Sequence, residues 1–429
     1  MQVMTAYRYR LDPTPEQRGF CVRTAGACRV LYNAALDQRN FSYQISRRCR
    51  PTPGRFAQDA ELKELKRVPG LEWLAEAPHH CLQQTLGDLD RAFANFFKGF
   101  ADHPSFHKKF VNDSFRFPDA AQIKLLPSRH GWVFLPKLKW VRFHQSRQLP
   151  IEGRLCSATV SREGEHWYVS FQCQVEIADP ICPSGNTVGI DLGITNSIAL
   201  SSGEVIRLPK FGKWEQEKLA ILDRRVASKQ KGSANRRKAL VKRHAYYRHL
   251  ASRRKDAQHK ATTLLAKSHG ELVIEDLRVR KMTASAKGTV EAPGTNVAQK
   301  AGLNRSLLNE AFGEFRRQLT YKCAWYGSGL TIVPAMNSSR ECSACGHTEA
   351  GNRPSRDEFR CLACGHEAPA DWNAAETIKN RAQRGERLVL AAPTALPTVG
   401  TTEHRAGTPG VRLDEADRLG QEMPPAKAA

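Results

Sequence analysis

Four cysteines near the end of the chain constrain its fold more than any other feature. Cys342 and Cys345 form one Cys-x2-Cys pair, Cys361 and Cys364 form a second, and fifteen residues separate the pairs. This spacing is typical of a zinc ribbon, in which four thiolates hold one Zn²⁺ in a closed tetrahedral site. Two disulfides or four unrelated buried thiols are the alternatives, and the spacing favours the metal.

Residues beside the cysteines support the same interpretation. Gly346 and Gly365 each follow the second cysteine of a pair, where the backbone must turn sharply and a Cβ atom would obstruct it. His347 and His366 also lie next to the pairs and are alternative ligands. Because four cysteines already complete a tetrahedral site, we expect both histidines to stay outside it.

The net charge of the chain indicates the class of its partner. With 429 residues, a net charge of +23 and a pI near 9.7, the chain predicts about two to four domains and a nucleic-acid partner. An anionic membrane surface is the alternative, but the mean hydropathy is −0.51 and no apolar run approaches the length of a membrane span. The other eight cysteines follow no disulfide-like spacing, which favours the reducing cytoplasm.

Hydrophobic periodicity divides the chain into helical and β-rich segments. After an alternating start, Pro15 and Glu16 suit the first turn of a helix. A second helix is predicted at about residues 81–97, where we expect the aromatic side chains to belong to the core. Between about residues 104 and 178 the apolar period shortens to two, which predicts strands.

The stretch from Lys210 to Lys260 is the most basic part of the chain. Its apolar residues keep helical spacing, so two long helices broken near Gly232 are predicted. Few acids balance its charge, which favours phosphate contact over a merely solvated face. The predicted nucleic-acid-binding residues are Arg236, Arg237, Lys238, Lys242, Arg243, Arg253 and Arg254.

Two acids end short apolar strands. Asp191 interrupts the run Val188-Gly189-Ile190, and an aspartate there is costly unless it is paired or bound to a metal. Glu275 ends the run Leu272-Val273-Ile274 in the same way. An exposed strand end or a turn cap is the alternative for Asp191. Of the two adjacent acids Glu275 and Asp276, Glu275 is the preferred functional residue, and Asp276 is a candidate for capping the turn that follows.

A third acid, Asp371, lies at the head of a predicted helix directly behind the cysteines. As a helix cap it would contribute about 1 kcal/mol. Together with Asp191 and Glu275 it would instead supply the carboxylates for two Mg²⁺ ions, which catalyse phosphodiester hydrolysis when they lie about 3.5–4 Å apart. We therefore predict Asp191, Glu275 and Asp371 as catalytic acids and magnesium ligands.

The order of these elements resembles the TnpB family, transposon-encoded RNA-guided nucleases ancestral to type V CRISPR effectors. The segments that carry the resemblance are residues 9–17, 189–193, 273–277, 312–319, 338–346 and 370–375. Two residues depart from the family pattern: Trp372 replaces a small or β-branched residue, and Glu341 stands where a neutral polar residue is common.

The resemblance implies a multidomain α+β fold with an N-terminal helical recognition segment, a small β-barrel-like domain and an RNase H-like (RuvC) α/β nuclease domain interrupted by the zinc ribbon. It implies an RNA-guided, Mg²⁺-dependent DNA endonuclease with two Mg²⁺ ions and one Zn²⁺. Its partners would be a guide RNA from the transposon end and double-stranded target DNA, on the nucleoid of a bacterial or archaeal type of cell. A guide-dependent repressor that does not cut, a transposase proper and a plain zinc-ribbon DNA-binding factor are the alternatives.

The resemblance also implies domain boundaries. The expected segments are 1–14, the first strand of a β-rich (wedge-like) domain; 15–103, a helical recognition domain; 104–183, the remainder of the β-rich domain; 184–335, the first part of the RuvC-like nuclease; 336–367, the zinc ribbon; 368–384, the last part of the nuclease; and 385–429, a disordered tail.

Overall fold

The computed structural model of the protein describes residues 2–45, 52–109, 111–126, 130–149, 153–183, 185–289 and 291–388. It contains two compact units, one ending at Ala178 and the other beginning at Asp179. The predicted disordered tail lies outside the described residues except for 385–388. That short piece lies against a strand, because the Leu388 N–H donates a hydrogen bond to the Ile332 carbonyl at 2.8 Å.

The first unit combines three long helices with one antiparallel sheet. Its elements are β1 (Gln2–Asp12), α1 (Pro15–Ile45), α2 (Arg55–Leu65), α3 (His79–Phe97), β2 (Ser114–Phe117), β3 (Lys124–Leu126), β4 (Trp132–Leu135), β5 (Lys139–His144), β6 (Arg154–Glu163) and β7 (His166–Glu176). The strand order is β2-β6-β7-β1-β5-β4-β3. The N-terminal strand β1 thus pairs with strands from the later β-rich segment. Within the described residues the edge strands β2 and β3 do not pair with each other, so this sheet is open.

The helix start predicted at Pro15 is confirmed. The Gln17 N–H donates to the Thr14 hydroxyl at 3.3 Å, and the Thr14 N–H donates to the Gln17 side-chain oxygen at 3.1 Å. This reciprocal capping satisfies two backbone donors that a helix start leaves free. The second predicted helix is α3, whose Leu82, Leu86 and Leu89 lie in the core of this unit. Its aromatic side chains belong to the core only in part, because Phe93 packs against it whereas Phe97 is 77% exposed.

The second unit is built on a mixed five-stranded sheet. Its elements are β8 (Thr187–Asp191), β9 (Ile198–Leu200), β10 (Val205–Ile206), α4 (Lys213–Ala227), α5 (Ala234–Ser268), β11 (Glu271–Glu275), α6 (Val279–Met282), α7 (Val297–Glu310), α8 (Phe312–Tyr326), β12 (Gly329–Val333), β13 (Glu358–Arg360), β14 (Glu367–Pro369) and α9 (Ala370–Gln383). The strand order is β10-β9-β8-β11-β12, with β8, β11 and β12 parallel. Strands β13 and β14 form a separate hairpin.

Both faces of this sheet are covered, which explains the near-continuous apolar strands. Leu272 and Ile274 of β11 share a cluster with residues of α5 and α8 on one face. Val273 points to the other face, where it packs with Ile378 of α9. The predicted multidomain α+β chain with an α/β domain is confirmed. The expectation of a β-barrel-like domain is wrong, because the edge strands β2 and β3 of the first sheet do not pair within the described residues. In the part of the chain that the structure describes, no helix has the length and apolar character needed to cross a membrane.

Candidate metal centres

Two of the predicted acids end neighbouring parallel strands. Ile190 of β8 pairs with Ile274 of β11, so the next residues, Asp191 and Glu275, end their strands at the same edge of the sheet. Parallel strands in register present their carboxyl ends together, and this brings residues 84 positions apart to one site.

The third acid reaches this edge from α9. Asp371 is the second residue of that helix, and the N-cap position belongs to Pro369, so the helix-cap role is not what the structure shows. Its carboxylate accepts a hydrogen bond from the Asn196 side-chain amide at 2.9 Å and lies 3.7 Å from the Arg353 guanidinium.

The pKa of Asp191 indicates that the charges of the other two acids act on its carboxylate. Burial, followed by the charges of Glu275 and Asp371, raises the pKa of Asp191 to about 7, while Arg353 opposes the shift. Burial also raises the pKa of Glu275, although the Ser338 hydroxyl lowers it in part. Carboxylates crowded in this way are stabilised in their charged form by a nearby cation.

Glu275 has a second feature that is typical of a cation site, a buried carboxylate oxygen without a hydrogen-bond partner. Its side chain is 9% exposed, and its Oε1 atom is buried without a hydrogen-bond partner. An unsatisfied buried acceptor costs about 1–3 kcal/mol, and more when it is charged. Oxygen ligands are those that Mg²⁺ prefers, so the donor set fits such an ion.

Asp276, the alternative to Glu275, faces a helix instead. Its carboxylate pairs with the Arg316 guanidinium of α8 at 2.7 Å. Its N–H donates to the Val333 carbonyl at 2.9 Å, continuing the register of β11 with β12. These contacts assign Asp276 to packing and leave Glu275 at the site.

Trp372, the departure from the family pattern, fixes the start of α9. Its indole N–H donates to the Ser201 carbonyl at 3.0 Å, just beyond β9. The side chain therefore ties the helix to the sheet one residue after Asp371. It secures the position of that acid rather than disturbing it.

The four predicted zinc ligands converge. The Cys342 and Cys364 sulfurs are 3.7 Å apart, those of Cys345 and Cys361 are 3.6 Å apart, and all four lie within 4.8 Å of one another. Four thiolates around Zn²⁺, with Zn–S bonds of ~2.3 Å, would be about 3.8 Å apart. A disulfide needs ~2.05 Å, so the disulfide alternative is wrong.

Both cysteine pairs are closed by the same backbone turn. The Gly346 N–H donates to the Cys342 carbonyl at 2.9 Å, and the Gly365 N–H donates to the Cys361 carbonyl at 3.0 Å. Both glycines have positive φ, at 78° and 74°, a conformation that disfavours other residues. His347 and His366 are not among the clustered ligand atoms, as expected.

The seven predicted nucleic-acid-binding residues all lie on α5, but they divide into two groups. Four make contacts within the protein: Arg236 to the Val226 and Lys229 carbonyls, Arg243 to Asp223, Arg253 to Glu215, and Arg254 to Asn309. Arg237, Lys238 and Lys242 have exposed side chains. The break predicted near Gly232 is confirmed, and Ser233 caps α5 by accepting from the Arg236 N–H at 3.1 Å.

Sequence reasoning missed two polar residues at the acidic site. Asn196 lies in the tight loop that follows β8, and a polar amide so close behind a strand-end acid was a usable signal. Arg353 lies in the irregular segment between the two cysteine pairs, where no periodicity or spacing marks it. Both contact Asp371 and help to hold its carboxylate.

Comparisons with known proteins agree with this geometry. Three family patterns match the chain: one described as "Probable transposase" at residues 170–286, "Cas12f1-like, TNB domain" at 312–378, and "Helix-turn-helix domain" at 1–48. Among solved structures, a cryo-EM structure of a Cas12f1–sgRNA–target DNA complex shares the fold, with 11% identity, a TM-score of 0.51 and coverage of 89% of this chain and 99% of that one.

Relatives at higher identity cover most of the chain. It is 40% identical to "Putative RNA-guided DNA endonuclease InsQ" of Escherichia coli (strain K12), over 88% of this chain and 92% of that protein. It is 34% identical to a Streptomyces pristinaespiralis protein also described as an RNA-guided DNA endonuclease, over 88% of this chain and 89% of that one. Identity at this level along nearly the whole of both chains shows that the protein belongs to the TnpB family.

Proposed function

We propose that this protein is an RNA-guided DNA endonuclease associated with a transposon. The observation that carries the proposal is the convergence of Asp191, Glu275 and Asp371, which come from β8, β11 and α9. Burial, followed by the charges of Glu275 and Asp371, raises the pKa of Asp191. The names of the relatives supply the RNA guide and the DNA substrate. Hydrolysis of a phosphodiester bond is the chemistry that such a carboxylate group supports.

The three acids would hold two Mg²⁺ ions. Bound there, the ions would supply an activated water and stabilise the leaving oxygen of the phosphodiester. Asn196 orients Asp371 through its amide, and Arg353 offsets part of the negative charge. The buried Glu275 ends β11, and its Oε1 atom has no hydrogen-bond partner among the described residues, so this oxygen is available to a metal ion.

The zinc ribbon would have a structural role. Cys342, Cys345, Cys361 and Cys364 would hold one Zn²⁺ and fix the loop that carries Arg353. Strand β14 runs directly into α9, so the ribbon also leads into the helix that carries Asp371.

The nucleic acids would be bound by charge and read by base pairing. In RNA-guided recognition the guide supplies sequence specificity, and the protein contacts backbone and shape. Arg237, Lys238 and Lys242 would contact phosphates of the guide or of the guide–target duplex. Residues 15–103 would serve as the recognition segment, beside the sheet formed by 1–14 and 104–183.

The proposal is tested by purifying the protein with co-expressed transposon-end RNA, sequencing the bound RNA and offering a plasmid library that carries a matching target. We expect Mg²⁺-dependent cleavage that needs both the guide and the match. The variant Asp191→Ala is the matched control, with the same RNA and no cleavage. Guided binding without cleavage by the unaltered protein would support the repressor alternative, and cleavage without RNA would refute the guide.

A further inference from the structure

Glu341 and Arg381 form a buried ion pair between the zinc ribbon and α9. Glu341 directly precedes Cys342, and Arg381 lies near the end of the helix. The two residues are 6% and 5% exposed. The guanidinium donates to Glu341 Oε2 from Nε at 2.9 Å and from Nη2 at 2.5 Å. The other carboxylate oxygen, Oε1, accepts from Arg384 at 2.5 Å.

Arg381 also binds the segment that leaves β12. It donates to the Pro334 carbonyl at 2.5 Å and to the Met336 carbonyl at 2.8 Å. That segment contains Ser338, whose hydroxyl interacts with Glu275. One guanidinium therefore connects the ribbon, α9 and the chain beside a predicted catalytic acid.

The backbone around Glu341 also forms hydrogen bonds with the N-terminal part of α9, opposite the end that carries Arg381. The Asn373 side chain donates to the Glu341 carbonyl at 2.8 Å and accepts from the Ser343 N–H at 3.0 Å. Thr377 donates to the same Glu341 carbonyl at 3.2 Å. Asn373 is fully buried and lies two residues after Asp371. The first cysteine turn of the ribbon is thus bonded to the turn of helix that presents this acid.

A buried ion pair is poor evidence of stability, because desolvation of both charges offsets their attraction. Directional hydrogen bonds of this kind instead select one arrangement of the groups they join. The arrangement selected here is that of α9 against the ribbon and the Pro334–Met336 segment, with Asp371 at one end of the helix and Arg381 ten residues away, about 15 Å along a rigid helix.

We propose that Glu341 and Arg381 are positioning residues that couple folding of the zinc ribbon to the placement of Asp371 and Glu275. When the ribbon is folded, α9 is held at both ends and the acids face each other. When the first cysteine turn loosens, Asn373 and Arg381 lose their partners and Asp371 is no longer held. The inference rests on the proposed nuclease function for its catalytic consequence, but not for the coupling itself.

The test uses the full chain with its bound RNA and the variants Glu341→Gln and Arg381→Gln. Hydrogen exchange measured by mass spectrometry reports on residues 370–378, and a Mg²⁺ titration of cleavage reports on the acids. We expect faster exchange in that peptide, a several-fold higher half-saturating Mg²⁺ concentration, and a cleavage rate lower by about 10–100-fold, because misplacing a catalytic group by ~1 Å has effects of that size. Zinc content and RNA binding should not change.

Arg360→Gln is the matched control. It removes an exposed ribbon ion pair with Glu367 that involves no residue of α9, so exchange and Mg²⁺ dependence should equal those of the unaltered protein. Unchanged exchange at 370–378 and an unchanged Mg²⁺ titration in Glu341→Gln and Arg381→Gln would overturn the proposal.

A double variant covers the case in which the single variants unfold. Replacing a buried ion pair by apolar residues of similar volume often preserves stability, so Glu341→Leu with Arg381→Met is expected to fold. This double variant lacks the hydrogen bonds to the Pro334 and Met336 carbonyls. We therefore expect its half-saturating Mg²⁺ concentration to be higher than that of the unaltered protein, as in the single variants. Normal cleavage and normal exchange at 370–378 in this variant would overturn the proposal. If the unaltered protein does not cleave DNA, the proposed function fails, and the exchange measurement still decides the coupling.

Discussion

The backbone of Gly189 in β8 lies directly against the Ala375 carbonyl in α9, with no room for a side chain between them. A Cβ atom at position 189 would collide with that carbonyl and lie 2.8 Å from the Lys379 nitrogen. The contact lets the helix approach the strand closely enough for Asp371 to join Asp191. The glycine is therefore required by the spacing of the two acids.

Substituting Gly189→Ala should push α9 away from β8 and reduce cleavage by about 10–100-fold through misplacement of Asp371. Binding of guide RNA should be unchanged, because the basic surface of α5 is not altered. Cleavage kinetics and RNA retention measure the two effects. Gly302→Ala in α7 is the matched control: apart from its chain neighbours and the backbone of its own helix, no described residue has an atom within 4 Å of the added methyl group, and helix propensity predicts a gain of about 1 kcal/mol. Equal cleavage by both variants would contradict the argument.

Substitution by alanine should affect cleavage at Glu275, the last residue of β11, but not at Asp276, which follows it. Glu275→Ala, like Asp191→Ala and Asp371→Ala, is expected to abolish cleavage and to leave guide-dependent DNA binding intact, since metal ligands act on the chemical step. Asp276→Ala removes a partly exposed ion pair with Arg316 and should cost at most about 1 kcal/mol of stability, with cleavage retained. Cleavage assays and thermal melts of the four variants would decide. Residual cutting by Glu275→Ala at the normal rate would remove this residue from the site.

The pH dependence of stability offers a test that needs no nucleic acid. Burial and the neighbouring carboxylates raise the pKa of Asp191 to about 7, whereas in an unfolded chain it would be ~3.9. Between about pH 4 and 7 the folded, Mg²⁺-free protein therefore holds a proton that the unfolded chain has lost, and stability falls as pH rises through this window.

Asp191→Asn removes that dependence. In Mg²⁺-free buffer, its melting temperature should match that of the unaltered protein near pH 4 and exceed it increasingly up to about pH 7, with a constant difference above. Added Mg²⁺ should shrink the difference at pH 8, because a bound cation stabilises the ionised acid. A difference independent of pH would show that Asp191 ionises normally.

Sequence alone singled out both candidate centres because their signals are local. The spacing of a Cys-x2-Cys pair predicts its own tight turn. An acid at the end of an apolar run can likewise be recognised from a few neighbouring residues. The convergence of Asp191 and Glu275 follows from parallel pairing of β8 with β11, a pairing that near-continuous apolar strands favour.

Other contacts depend on tertiary packing that no local pattern encodes. The sequence marks Glu341 only as a departure from the family pattern. Its ion pair could not be predicted, because its partner Arg381 is 40 positions away. A charge run likewise does not reveal which arginines face a neighbouring helix, so Arg236 and Arg243 could not be separated from the exposed Lys238. The open edge of the first sheet was unpredictable for the same reason, since closure depends on strand order.

Removal of zinc should lower activity through loss of local structure. Thiolate binding is coupled to folding, so Cys361→Ser or a strong chelator is expected to unfold residues 342–364 and reduce cleavage. Elemental analysis should give about one zinc per chain for the unaltered protein and less for the variant. Cys182→Ser, an exposed cysteine outside the cluster, should change neither zinc content nor cleavage. Full activity in a zinc-free protein would refute the assignment.

The exposed basic residues of α5 should contribute to affinity without affecting target choice. If Arg237, Lys238 and Lys242 bind phosphates, replacing all three by glutamine should weaken RNA binding for every sequence. The slope of log affinity against log salt concentration should fall by roughly 0.7–0.9 for each phosphate that is no longer neutralised, about 2 to 3 in total. Target preference should be preserved, because binding to phosphates carries no direct sequence information.

Arg236→Gln provides the contrast. Its guanidinium binds the Val226 carbonyl at 2.8 Å and the Lys229 carbonyl at 3.0 Å, so its loss frees acceptors at the end of α4. The Val226 carbonyl is partly buried, and freeing it costs on the order of 1 kcal/mol, so we expect a lower melting temperature with little change in the salt slope. Salt titrations of RNA binding measure the loss of phosphate contacts, and thermal melts measure the loss of stability. A slope unchanged in the triple variant would mean that this face of α5 is merely solvated, and a slope lowered in Arg236→Gln would mean that the phosphate-binding surface extends to the α4–α5 turn.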